Sequence, residues 1–352
     1  MARLDDRPLR VPPAERLDHV DAAADALAGC LLGQALGDAL GFVVEAEPPA
    51  VAQAYVTDWL QRGKAAERRR SPFSFGQFSD DTQLARELLL SFRDAGGWDP
   101  AVFAGRVADL FRDHRDVGAG PGTRAAAKRL LQGIPWRESG TPAPYAGNGS
   151  AMRAGPLGLL FPGAPDEMRR AARDQSRITH LDPRCAAGAV AVSGAVGLAA
   201  ASHPIDRQEF LKRLSAWVEV EDPSVADAIR NLGSWVDCLP SDAPRYLPEA
   251  ELDPAHLDRW RGISALVTPS VVWSLYAFLR SPDDYWTTVC TAIGVGGDTD
   301  TMAAMAGAIS GAHLGVAALP APLLEHLHDR DGWWAGELQE LARACARPLT
   351  GR

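Results

Sequence analysis

The sequence predicts an all-α fold, and three observations carry that prediction. Apolar residues recur at three- and four-residue spacing from Ala22 almost to the C-terminus. Runs of alternating β-branched residues, which would mark strands, are almost absent. Glycine repeats every fourth residue in two segments, and residues four apart share one face of a helix.

In chain order, residues 1–20 combine charge with Pro12-Pro13 and read as an irregular arm, and residues 21–352 read as one helical domain. The spacing predicts helices over 22–42, 81–94, 100–114, 123–132, 166–178, 185–201, 206–219, 223–235, 256–262, 269–280, 285–293, 300–316 and 321–344. The first carries Gly29, Gly33, Gly37 and Gly41, and the segment 300–316 carries Gly307, Gly311 and Gly315. Each such glycine lowers helix propensity by about 1 kcal/mol, so packing must compensate. A smooth glycine face lets another backbone approach closely, which makes these two helices the expected centre of the fold. In 81–94, Leu84, Leu88 and Phe92 line one side with Ala85 and Leu89 adjoining, and the helix is expected to start near Asp81 or Thr82. The stretch 186–201 is built of Ala, Gly and Val, is short for a bilayer, and reads as a buried helix. Between the helices lie loops at 46–78, 133–150, 162–166, 236–256 and 263–269, rich in Pro, Gly and small polar residues. None resembles a flexible linker between domains. The long stretch 46–78 leads directly into Asp80-Asp81 and is a candidate mobile flap.

Composition narrows the function classes. With 46% hydrophobic and 23% charged residues in 352, the chain is an ordinary globular protein. A net charge of −9 argues against strong non-specific binding to nucleic acid. Lys64 with Arg68-Arg69-Arg70 is the one compact basic run and reads as a solvated loop. The five cysteines are widely spaced, without CxxC pairs, which points to reduced thiols in a cytoplasmic protein with neither a disulfide frame nor a zinc site. The charged N-terminus lacks the apolar core of a secretion signal, no membrane association is expected, and a monomer is the default.

Two motifs carry the chemistry. In FSDDTQLARELLLSF (78–92), two consecutive carboxylates, Asp80 and Asp81, stand between the hydroxyls of Ser79 and Thr82. One Asp at a helix start is first of all an N-cap, but two with flanking hydroxyls exceed what a cap requires and suit a hard divalent cation. In GVGGDTDTMAAMAGAISGAHLG (294–315), Asp298 and Asp300 alternate with Thr299 and Thr301. An extended entry would point both carboxylates the same way, toward one cation or as a bridge between two. A third segment, GNGSAMRAGPLGLL (147–160), has the close-approach character of a turn that holds ribose hydroxyls or phosphates, or of a structural turn. His180, in RITHLDPRCAAGA, and Glu45, at the end of GDALGFVVE, are ordinary residues when read alone.

Together these segments resemble the ADP-ribosylglycohydrolase family of metal-dependent all-α enzymes. The resemblance rests on GCLLGQALGDALGFVVE (29–45), SDDT (79–82), GNGSAMRAGPLG (147–158), THLD (179–182) and GGDTDTMAAMAGAISGAHLG (296–315), in the family's order. It implies an orthogonal helical bundle with two Mg²⁺ or Mn²⁺ ions. Ser79, Asp80, Asp81 and Asp300 would hold one ion and Asp298, Asp300 and Thr301 the other, with Asp300 bridging. The family typically has Thr where this chain has Ser79, which keeps the hydroxyl. Gly147, Asn148, Gly149, Ser150 and Met152 would line the ADP-ribose pocket with Gly296 and Gly297, and His180 would lie near the distal ribose. Tyr145 would either stack on adenine or serve packing. Glu45 matches a flap carboxylate, and Asp81 or Glu45 would carry the proton.

The implied reaction is hydrolysis of the glycosidic bond between ADP-ribose and a modified protein side chain, nucleic acid or small molecule. A non-catalytic ADP-ribose-binding relative is the alternative, and a two-metal phosphoesterase a more distant one. Arginine, serine, a nucleobase or a small molecule are all open as acceptor, with discrimination expected in the loops 46–78 and 236–268. Trp260, Trp273, Tyr285 and Trp286 are candidates for that side or for the core.

Overall fold

The computed structural model describes residues 19–247 and 260–346. Residues 1–18 of the expected arm lie outside them, and residues 19 and 20 already belong to the first helix. In chain order the helices are α1 His19–Gly41, α2 Pro49–Tyr55, α3 Asp80–Ala95, α4 Pro100–Arg112, α5 Pro121–Leu131, α6 Leu157–Leu160, α7 Pro165–Thr179 and α8 Pro183–Ala201. There follow α9 Arg207–Val218, α10 Pro223–Leu232, α11 Val267–Arg280, α12 Tyr285–Gly294, α13 Thr299–Leu314, α14 Ala321–Leu324 and α15 Ala335–Ala346. Among the described residues no strand forms, only isolated bridges such as Thr141 with His180 and Ile263 with Gly297.

The two glycine-ridged helices pack on each other. A Cβ placed on Gly33 would lie 2.4 Å from the Gly307 carbonyl oxygen, and one on Gly37 would lie 2.1 Å from that of Ala303. Pairing runs antiparallel, from Gly29 opposite Gly311 to Gly41 opposite Thr299. Two hydroxyls stitch the contact, Tyr285 donating to Gly33 O at 2.7 Å and Thr299 Oγ1 to Gly41 O at 2.8 Å. The C-terminal end of α1 therefore abuts the N-terminal end of α13, and this junction is where the site forms. Both α1 and α8 are long and apolar enough to cross a bilayer, and both are mostly buried inside the protein.

Three expectations change. The segment 321–344 is not one helix: α14 and α15 are separated by a turn in which Asp329 points inward to the fully buried Arg86 of α3, at 2.7 Å. Asp329 also accepts from Gln77 and Gln83 Nε2, at 3.1 and 3.0 Å, and the turn that presents it closes through Gly332 at φ 82°, where a helix cannot continue. The stretch 46–78 is partly structured, with α2 followed by a wide turn at 56–60, anchored by buried Ala52, Tyr55, Val56 and Leu60. Of the expected helix 256–262, residues 260–262 are non-helical and the rest lies outside the described residues. Trp273 and Tyr285 belong to the core.

Candidate metal centre and active site

At the start of α3 the backbone amides are capped from another helix. The Asp38 carboxylate of α1 accepts from Ser79 N at 2.9 Å, Thr82 N at 3.1 Å and Thr82 Oγ1 at 2.6 Å. Ser79 is the N-cap residue, its Oγ accepting from Asp81 N at 3.2 Å and donating to Asp81 Oδ2 at 2.9 Å. Neither Asp80 nor Asp81 is spent on capping, and the helix starts at Asp80, one residue earlier than expected. At α13, the N-cap Asp298 makes no side-chain bond to the amides of its own helix. It accepts instead from Asn148 Nδ2 at 2.5 Å. Asp300 sits in the first helical turn rather than in an extended entry, and one oxygen accepts from Thr301 N at 2.9 Å.

The carboxylates converge in two groups. Asp38, Asp81 and Asp300 present oxygens within 4.8 Å of one another, and so do Glu45, Asp298 and Asp300. Asp300 is common to both, the position expected of a bridge. Thr301 Oγ1 lies 3.4 Å from Asp81 Oδ2, and Asp80 joins the same cavity wall. Burial raises Asp38 to about 6 against the hydrogen bonds from Thr82 and Ser79, and raises Asp298 to about 7, with the Glu45 charge adding to it. Asp80, Asp81 and Asp300 rise well above the usual carboxylate range through burial first and then through the neighbouring carboxylates. Asp81 Oδ1 is buried without any hydrogen-bond partner. Mutually repelling buried carboxylates, an orphaned oxygen and two hydroxyls make an all-oxygen donor set that fits hard divalent cations.

The group faces a cleft of about 300 Å³. Glu45, Asp80, Asp81, Asp298, Asp300 and Thr301 line it together with Tyr145, Gly147, Asn148, Gly149, Met152 and His180. Gly149 is required there, because a Cβ would lie 2.9 Å from His180 Cε1. His180 Nδ1 pairs with Thr179 Oγ1 at 2.8 Å. Burial, aided by the Arg153 guanidinium, lowers His180 to about 3, so the imidazole is neutral near pH 7. Arg153 is itself fully buried, donating to Gln175 Oε1 at 2.7 Å and Thr179 Oγ1 at 2.8 Å. Tyr145 OH accepts from Gly122 N at 3.1 Å, which fixes the ring on the cleft wall.

Three expected substrate residues lie elsewhere. Ser150 is fully buried beneath the turn, donating to Cys185 O at 3.1 Å. Gly296 and Gly297, at φ of 72° and 85°, are not among the cleft-lining residues. They anchor the Glu45 turn, with Ala46 N donating to Gly297 O at 2.8 Å and Gly297 N to Glu47 O at 2.9 Å. Conversely, the sequence reading passed over Asp38, whose signal was a carboxylate inside an otherwise apolar, glycine-ridged helix. It also passed over VGAGPGTR (117–124), a glycine-rich entry with Pro at the first helical position. From it Gly118, Ala119, Gly120, Pro121 and Thr123 line the cleft, as does Trp260. The basic run is not simply solvated: Arg70 pairs with Glu45, and Arg68 lies 4.5 Å over the Trp59 ring.

Among the described residues, a helical frame thus gathers carboxylates from three helices at a glycine-rich cleft. The chain matches the ADP-ribosylglycohydrolase family over residues 19–351, and it belongs to that family. It is 31% identical over 267 residues to the ADP-ribosylhydrolase ARH3 of Homo sapiens, covering 69% of this chain and 72% of that protein. It is 27% identical over 258 residues to the ADP-ribosyl-[dinitrogen reductase] glycohydrolase of Rhodospirillum rubrum, covering 72% and 74%. A solved ADP-ribosylglycohydrolase-related protein complex contains a chain that superposes with a TM-score of 0.66 at 26% identity, covering 93% of this chain and 98% of that one.

Proposed function

We propose that this protein hydrolyses the glycosidic bond between ADP-ribose and a modified protein side chain, nucleic acid or small molecule, with two Mg²⁺ or Mn²⁺ ions as cofactors. The observation that carries the reading is the pair of carboxylate groups sharing Asp300 at the cleft, beside the unpartnered Asp81 Oδ1. Ser79, Asp80, Asp81, Asp298, Asp300 and Thr301 would hold the ions, with Asp38 fixing the α3 end of the set. The cations, when bound, would supply Lewis acidity toward a water and the distal ribose hydroxyls.

The chain's own residues supply the rest. Cleaving the bond at C1″ builds positive charge on the ribose and basicity on the leaving group, which calls for a carboxylate that moves a proton. We assign that role to Glu45 or Asp81, both of which line the cleft. A neutral His180 serves as a hydrogen-bond partner for a ribose hydroxyl, not as a cationic acid. Asn148 holds the Asp298 carboxylate from the substrate side. The start of α5 enters the cleft at Gly120-Pro121 without a side-chain cap, and such a helix end suits the diphosphate. Free cysteines at all five positions are in keeping with the cytoplasmic, reducing setting we assign.

The test is release of ADP-ribose from a panel bearing arginine, serine, nucleic-acid and O-acetyl linkages, with Mg²⁺ and with Mn²⁺. Asp80→Ala and Asp300→Ala should abolish release while the protein stays helical. Turnover that persists in EDTA would overturn the metal dependence, and tight ADP-ribose binding without cleavage of any linkage would mark a binding protein.

A further inference from the structure

Arg70 meets the turn that carries Glu45 at three points. Its guanidinium pairs with the Glu45 carboxylate. Its Nη1 donates to Phe42 O at 3.3 Å, and its Cζ lies 4.4 Å from the centre of the Phe42 ring. Phe42 in turn packs on Phe73, with ring centres 5.4 Å apart. One side chain from the segment leading into α3 thus grips both ends of the 42–45 turn. The gripped carboxylate belongs to the Glu45, Asp298 and Asp300 group.

We propose that Arg70 is a positioning residue for Glu45, a clip that holds this carboxylate above Asp298 and Asp300 and competes with entering cation for its charge. This rests on the metal-dependent reading above. Two consequences of opposite kind follow. The clip orders the 42–45 turn when no cation is bound. It also offsets one of the negative charges a cation would otherwise meet, so removing it tightens cation binding while loosening the turn. A residue that merely packed the loop would loosen the turn and weaken cation binding together.

The experiment is a double-mutant cycle of Arg70→Met with Glu45→Gln, reading Mn²⁺ affinity by calorimetry and amide hydrogen exchange of residues 42–47 in the metal-free protein. Arg70→Met keeps an aliphatic stem over Phe42 and removes the charge. A partly exposed ion pair contributes up to about 1 kcal/mol, equivalent to about fivefold in an equilibrium constant. Mn²⁺ should therefore bind about two- to fivefold tighter to Arg70→Met, with faster exchange in the turn. In the Glu45→Gln background the same substitution should change Mn²⁺ affinity less than twofold, and Arg70→Lys should fall between the parent and Arg70→Met. Equal changes in both backgrounds, weaker Mn²⁺ binding, or an unchanged exchange rate would each overturn the clip. If the parent protein binds no Mn²⁺, the metal reading fails instead, and the exchange data still report on whether Arg70 orders the turn.

Discussion

Gly37→Ala should cost more activity than stability. The added Cβ would lie 2.1 Å from the Ala303 carbonyl oxygen and 2.6 Å from its carbon, where ordinary contact begins at 3.4 Å. Both partners are helix backbone, so no rotamer change relieves the clash, and α1 must retreat from α13 by about 1 Å. Overpacking of this kind costs up to about 3 kcal/mol. Alanine returns about 1 kcal/mol of helix propensity, leaving a net loss of about 2 kcal/mol. The next residue is Asp38, which caps α3 and shares a carboxylate group with Asp81 and Asp300. A misplacement of about 1 Å at such a group lowers turnover by about a hundredfold. The control is Gly105→Ala in α4, where a Cβ meets nothing within 4 Å and the substitution should be neutral or stabilise by up to about 1 kcal/mol. The assay is thermal unfolding of both variants, with ADP-ribose release measured well below either midpoint. If Gly37→Ala unfolds and turns over like the parent, the backbone contact does not set the site.

Three further outcomes follow from particular groups. In the metal-free protein, folded Asp38 and Asp298 titrate near 6 and 7, above the usual carboxylate value near 4, so the folded state holds more protons than the unfolded one in between. Stability should fall as pH rises from about 4 to about 7, and the gain in melting temperature on adding Mg²⁺ should grow across that window; a gain independent of pH would refute this. Asp38→Ala removes the acceptor of three donor groups at the α3 start and should destabilise by about 2 kcal/mol, checked by chemical unfolding with EDTA present. Asp329→Ala leaves Arg86 with Glu87 as its remaining carboxylate partner, at 2.9 Å, and should cost about 3 kcal/mol in the same assay.

What could be read from the sequence follows the range of the interactions involved. The glycine ridges were legible because glycine inside a helix is costly and its four-residue period declares a face. The acidic pairs were legible because two carboxylates exceed a cap. Asp38 was not, since its partners Ser79 and Thr82 lie 41 and 44 residues away and only the packing of α1 brings them near. The break within 321–344 had a local signal, the Asp331-Gly332 pair, whose glycine sits at φ 82°; what was hidden is the pairing of Asp329 with Arg86, 243 residues distant. The family resemblance implies Gly296 and Gly297 as substrate contacts. Their positive φ and their bonds to residues 46 and 47 show that they fix the Glu45 turn.

The same packing that builds the core creates the electrostatic problem at the site. The antiparallel glycine contact buries Asp38 at one helix end against Asp300 at the other, and α3 adds Asp80 and Asp81. The N-termini of α3 and α13 point toward this group, and a helix start stabilises a nearby negative charge by about 0.3–1 kcal/mol. Two such ends offset only part of the repulsion, because each buried carboxylate carries a desolvation cost of several kcal/mol when ionised. Near neutral pH the remaining choice lies between protonated carboxylates and bound cations. Asp38 and Asp298 titrate near 6 and 7, close enough to neutrality for a divalent cation to displace their protons.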